Sequence, residues 1–287
     1  MIEIFDTHTH VISSDPVRYP VAPVGGHQSS WSIARPVSHP ELIRAMDAAG
    51  VAKAVVVQAS TVYGHDNIYV VEAVKAHPDR FVGVYSIDAL APDAVEKIAY
   101  WQDQGLFGFR LFTTGTTLPG QQDWLGDEAS FPAWAYAEAN GIPVCLQMTM
   151  DGLPKLRMLL ERFPKVRVLL DHLARVDPSD GPPYAAAAAL FDMAAYPGVF
   201  LKLTNRTLAM AATGASTSVD FVSKVLATFG ASRIAWGSNF PAAEEPLPEL
   251  LAEAKAALAG LPETDQRMIF SGTAAQIYPG LKGMVHA

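Results

Sequence analysis

The chain has 287 residues, of which 50% are hydrophobic and only 17% charged, and its mean hydropathy is +0.16. That balance excludes intrinsic disorder, and a chain of this length buries about three quarters of its unfolded surface in a core. The 21 basic and 29 acidic residues leave a net charge of −8 with no Lys/Arg-rich run, so nucleic acid is not an expected partner.

Cys145 is the single cysteine, which excludes a disulfide framework and fits a reducing cytoplasm. The opening MIEIFDTHTH carries Glu3 and Asp6 and lacks the basic region of a signal peptide. No uncharged apolar run approaches the about 18 residues of a membrane span. A cytoplasmic location with no membrane partner is therefore expected.

In chain order, short apolar runs alternate with longer amphipathic ones. The short runs are Glu3–Asp6, Ala54–Gln58, Phe81–Ser86, Gly108–Phe112, Ile142–Gln147, Val166–Asp171, Val199–Leu203 and Ile234–Gly237. Their Val, Ile, Leu and Phe content predicts strands buried on both faces. Helical patterns lie between them. Ser38 opens one that stops at Gly50, and Asp93 opens one that stops at Gly105. PAWAYAEANG stops at Gly141, PKLRMLLERF closes at Phe163-Pro164, and SVDFVSKVLATFG stops at Gly230.

Eight such units predict an α/β fold, a (β/α)8 TIM barrel, as a single domain over residues 1–287. An open doubly wound sheet is the alternative, but no GxGxxG or GxxxxGK[ST] follows a strand. Two long loops, Val11–Val37 after the first strand and Thr113–Asp123 after the fourth, fall on the catalytic face of such a barrel and read as lids.

Candidate chemistry gathers at the strand ends. In Asp6-Thr7-His8-Thr9-His10, alternate side chains point the same way, so Asp6, His8 and His10 stack toward the barrel mouth. Paired imidazoles suit a metal or a polarised substrate oxygen. In VRVLLDH, Asp171 and His172 point to opposite sides. His172 is assigned to the interior and Asp171 to bonds with the loops. His8, His10 and His172 then offer three nitrogens, the number a catalytic zinc needs.

Asn239, in WGSNFP, cannot take a proton and serves equally as a site residue or a turn residue. Arg110, within GFRLF, needs a partner, either a substrate carboxylate or an internal acid. Gln58 and Gln147 end strands and are expected to orient substrate, with Tyr63 and His65 of the following YGHDN stretch reaching in from a loop. Lys202 in FLKLTN offers a cation to an anion or to a neighbouring Asp. Neither a GxSxG nor an activated cysteine is evident, so water is the expected nucleophile.

DTHTH, VVVQAS-TVYGHDN, GFRLF, LLDHLAR, LKLTN and WGSNFP follow one another in this order along the chain. This series resembles the amidohydrolase superfamily (amidohydrolase family 2), in the branch of 2-pyrone-4,6-dicarboxylate lactonase and sugar lactonases. The resemblance implies an active site of His8, His10, His172 and Asn239. It also implies small, often carboxylated lactone substrates with Arg110 as a carboxylate contact. Members work with no metal or with a divalent one, often zinc, and often assemble as homo-oligomers. Two departures stand out. Asn239 replaces the usual strand-eight Asp base, and Gln147 replaces a strand-five His. With no lysine at a strand end to bridge two ions, a binuclear site is not expected.

The expectation is a lactone hydrolase acting on a small carboxylated lactone. His8 and His10 polarise the carbonyl directly or through one metal, and His172 serves as base. The rival readings are a metal-independent lactone isomerase, a metal-dependent decarboxylase or hydratase of the superfamily, and a binding protein without catalysis.

Overall fold

β-Branched and apolar side chains dominate the strand sequences. KAVVV forms β2 (Lys53–Val57) and FVGVYS forms β3 (Phe81–Ser86), both almost wholly buried. A computed structural model describes residues 2–113 and 123–282. The remaining strands are β1 (Phe5–Thr9), β4 (Phe109–Phe112), β5 (Val144–Gln147), β6 (Val168–Leu170), β7 (Val199–Thr204) and β8 (Ile234–Gly237). All eight lie parallel in the order β1 to β8, with helices between them. The predicted (β/α)8 barrel is the observed one.

Alternation along the strands separates two layers. Val55, Val57, Val82, Val84, Cys145 and Leu169 form an inner cluster with Ala274, Ile277, Tyr278 and Leu281, so the last helical segments plug one end of the barrel. Ala54, Val56, Phe109, Leu111, Val144, Leu146, Val168 and Leu170 belong instead to the larger core shared with the helices.

Helix limits follow the capping chemistry. Ser38 and Glu41 form a reciprocal capping box on the helix His39–Ala49, and Gly50 closes it in the left-handed conformation (φ 72°). The loop Val11–Val37 is ordered and carries a helix, Ser30–Ala34, that brings Trp31 over the barrel mouth. The predicted loop Thr113–Asp123 lies, but for its two end residues, outside the described residues. Among the described residues no helix is long and apolar enough to cross a membrane.

The seam between β1 and β8 is made at one glycine. Asn239 N donates to His8 O at 2.9 Å, and His10 N donates to Phe240 O at 2.9 Å. Thr7 Oγ1 donates to Trp236 O at 2.7 Å, and Asp6 Oδ1 accepts from Ser238 N at 2.9 Å. A Cβ at Gly237 would lie 2.7 Å from His8 Cβ and 3.1 Å from Thr7 Oγ1. Overpacking of this kind costs about 1–3 kcal/mol. Gly237→Ala is therefore expected to lower the urea midpoint while leaving the far-UV dichroism of the barrel. An unchanged midpoint would remove the steric role.

Candidate active site

The two histidines of β1 sit at different depths. Their ring centroids are 5.0 Å apart. His10 faces the mouth, its Nδ1 is 2.8 Å from Val57 O, and Trp31 stacks on it at 5.4 Å. His8 lies one layer beneath, fully buried, with Nε2 lacking any hydrogen-bond partner. Asp6 does not reach the mouth. Its Oδ1 accepts the backbone N–H groups of His8 and Ser238, which ties β1 to β8.

The expectation for Asp171 is overturned. It is not a loop partner but the centre of the barrel, fully buried, with Arg110 Nε at 2.8 Å and Lys202 Nζ at 3.1 Å. Asp171 follows the inward register of Leu169, and alternation lapses only at His172, past the end of β6 at Leu170. The chain then runs left-handed from His172 to Arg175, with φ of 53, 50, 53 and 55°. That turn brings His172 inward beside Asp171. Arg110 is correspondingly committed: besides Asp171, its Nη2 donates to Gln147 Oε1 at 3.0 Å. The internal acid is thus one partner of Arg110, whose side chain also lines the cavity at the mouth. Lys202, also fully buried, takes the same acid as partner. A buried pair of this kind is roughly neutral as a whole but costs about 3–5 kcal/mol when one member is removed.

Burial pushes the Asp171 carboxyl up, but Lys202 and Arg110 more than offset it and hold it well below the usual carboxylate range. The imidazoles move down as well. Burial, then the Arg110 charge, takes His10 to about 3, and burial takes His172 to about 3 against the pull of Asp171. Burial also lowers His8 well below the ordinary histidine value. All three rings are neutral at pH 7.

Above this floor lies a cavity of about 140 Å³. His10, His172, Arg110, Gln147 and Asn239 line it, joined by Trp31 and Arg206. The Asn239 backbone has a φ of 61°, a conformation Asn tolerates, so this residue is both turn and wall. His172 Nδ1 is 2.7 Å from Thr204 Oγ1.

Three predicted substrate contacts lie outside the cavity lining. Gln58 donates its amide to Gly64 O and Asp66 O, holding the loop after β2. The Tyr63 hydroxyl accepts from Ser13 N at 2.8 Å. His65 Nδ1 is 3.0 Å from Ser86 Oγ and borders a neighbouring hollow with Trp101.

Two arginines missed by the sequence reading stand at the rim. Arg175 and Arg206 line a hollow of about 110 Å³ that shares His172 and Arg206 with the main cavity. Among the described residues neither has an acid within 4.0 Å, and Arg175 Nη1 is buried without a partner. Their signal was available in the sequence, since Arg175 follows His172 by three residues and Arg206 follows LKLTN directly.

The donor set was tested against the implied metal. The orphaned His8 Nε2 and the close approach of the His10 and His172 rings favour one. Against it, no three His, Cys, Asp or Glu side chains among the described residues converge as ligands. The Lys202 ammonium stands beside His8 and Asp171, and both Asp171 oxygens face cations. The residues as placed do not fit a divalent ion.

The family model described as amidohydrolase matches residues 5–280. The chain belongs to the amidohydrolase family. Solved structures of the same fold include a probable 2-pyrone-4,6-dicarboxylic acid hydrolase from Acinetobacter baumannii with citric acid bound. It is 19% identical with a TM-score of 0.74, and the match covers 96% of this chain and 99% of that one. An amidohydrolase from Burkholderia multivorans with bound zinc is 21% identical, with a TM-score of 0.75 over 96% and 99% of the two chains. A 2,6-dihydroxybenzoate decarboxylase from Rhizobium is 16% identical, with a TM-score of 0.71 over 99% and 100%. No curated protein matches the sequence significantly.

The neutral imidazoles set a pH dependence. Unfolded histidines titrate near about 6.5, whereas His10 and His172 are held at about 3. Between those values the unfolded chain binds more protons, so stability falls as pH drops through the window. Each such histidine contributes up to about 1.4 kcal/mol per pH unit. Asp171, with its lowered value, stays charged there and loses its share only at stronger acidity. Urea midpoints measured from pH 7 to pH 5 should fall, and fall less steeply in His172→Gln. An identical slope in that variant would contradict a neutral His172.

Proposed function

We propose that this protein is a hydrolase that opens a small anionic lactone by water attack. The observation that carries the reading is the Arg175–Arg206 pair, without an acid partner among the described residues, beside three neutral imidazoles. Arg110, the expected carboxylate contact, is engaged with Asp171 and Gln147. The anchoring charge for substrate therefore comes from Arg206 and Arg175, whose guanidinium groups suit a carboxylate. The likeness in fold to a probable dicarboxylic acid hydrolase holding citric acid supports an anionic ligand.

The base is assigned by hydrogen bonding. A carbonyl only accepts, so the Val57 O contact requires the His10 proton on Nδ1 and leaves the lone pair on Nε2. His172 faces a Thr204 hydroxyl, which fits either tautomer. His10, rather than the expected His172, is thus the side chain obliged to accept a proton. Water attacks the acyl carbon and its proton passes to His10 Nε2. The ring C–O bond breaks and the leaving alkoxide takes that proton back. An anion on the rim raises the His10 value toward the working range, since it favours the charged imidazole.

A metal-independent lactone isomerase is the second reading, supported by Gln147 and Asn239 standing where the resemblance expects His and Asp. Turnover in isotopically labelled water separates the two, because only hydrolysis leaves the label in an open-chain acid.

Arg206→Ala is expected to raise KM for carboxylated lactones by about 10- to 100-fold with a smaller change in kcat. A KM that stays put would sink the anchoring role. His10→Gln should cut kcat by at least about 100-fold. If His172→Gln alone produced that loss, the base would be His172.

A further inference from the structure

Lys202 is buried at the floor of the barrel, and neither the anchoring of substrate nor the assignment of the base uses it. Its ammonium has three N–H groups and three neighbours: Asp171 Oδ1 at 3.1 Å, His8 Nδ1 at 3.4 Å and Cys145 Sγ at 3.4 Å. An ammonium paired with a carboxylate donates and never accepts. The other candidate partner for His8 Nδ1 is Asp171 Oδ1, at 3.6 Å and outside hydrogen-bond reach. His8 Nδ1 therefore carries the lone pair, and the single ring proton sits on Nε2. That nitrogen is the one left buried without a partner. The His8 ring lies beneath the cavity lining, its centroid 4.9 Å from that of His172 and 5.0 Å from that of His10, both of which line the cavity.

We infer that Lys202 is a positioning residue that fixes His8 as the Nε2–H tautomer, making it a hydrogen-bond donor for an oxygen seated at the cavity floor. His8 and His10, two residues apart on one strand, then hold opposite tautomers and opposite tasks. His10 accepts a proton and His8 stabilises the oxyanion. This assignment of the oxyanion rests on the lactone-opening reading, but the tautomer does not. The same lock accounts for the misfit with a metal. A metal on His8 Nε2 needs the lone pair there and the proton on Nδ1, which would then face an ammonium proton. Remove the ammonium, and Asp171 becomes the acceptor for Nδ1–H, the carboxylate–histidine pairing that orients metal-bound imidazoles.

Long-range proton–nitrogen correlation spectra of histidine-labelled protein read the tautomers directly, with His8→Gln and His10→Gln assigning the signals. The expected result is Nε2–H for His8 and Nδ1–H for His10. Nδ1–H on His8 in the wild type would overturn the proposal, whether or not any lactone is turned over. In Lys202→Met the His8 signal should switch to Nδ1–H. A folded variant that keeps Nε2–H would show that Lys202 does not set the tautomer. If that variant does not fold, the wild-type spectrum alone decides. Where a lactone substrate is in hand, Lys202→Met should also lower kcat by about 10²- to 10³-fold with little change in KM. Correct wild-type tautomers with no lactone turnover would leave the lock standing and defeat only the lactonase reading.

Discussion

Two cations share one carboxylate in the interior of this barrel. Arg110 and Lys202 both close on Asp171, and the apolar plug around Tyr278 and Ile277 lies in the same interior. A buried charge is tolerated only when paired, so these three side chains constrain one another. Everything at the mouth inherits that arrangement. Arg110 orients Gln147, Lys202 faces His8 Nδ1, and the left-handed turn directly after Asp171 delivers His172. The cluster carries a net positive charge, which helps to keep the buried imidazoles neutral.

The field of the whole molecule and the field of the site are opposed. The chain carries a net charge of −8, which disfavours the approach of an anion at long range. Screening confines that effect to about 8–10 Å at ordinary ionic strength. Among the described residues the cavity and its neighbouring hollow are lined by Arg110, Arg206 and Arg175 and by no acid. Selection for anions at this mouth is therefore local.

Much of this was legible in the sequence, and the reasons for the rest are specific. Strands buried on both faces announce themselves by composition, and β3 and β8 fall on their predicted residues. Helix ends at Gly50, Gly141 and Gly230 were readable from capping chemistry. DTHTH located β1 and two of the site histidines, His10 at the mouth and His8 beneath it. The failures come where a periodic rule stops applying. Alternation admitted only one of Asp171 and His172, and the imidazole was preferred; the register of Leu169 takes Asp171 inward, and the left-handed turn past Leu170 brings His172 in as well. Arg110 was read one contact at a time, and nothing local says that an Asp 61 residues away will claim it. Trp31 was invisible because its role depends on how a long loop folds back over the mouth. Arg175 and Arg206 were within the quoted motifs or directly beside one, yet a basic residue just past a strand end is usually solvated.

The division between floor and rim has a bearing on how such a site changes over evolutionary time. The floor residues are mutually committed, so a substitution at Asp171, Lys202 or Arg110 strands a charge and is costly before any new activity appears. Arg206 is exposed and Arg175 half-buried, and neither has an acid to leave unpaired among the described residues. A substitution at exposed Arg206 costs the fold little, since surface changes away from such networks stay within about 0.5 kcal/mol. Ligand preference can therefore drift at the rim while the reactive floor persists, so paralogues of this barrel should diverge in what they hold sooner than in how they act on it.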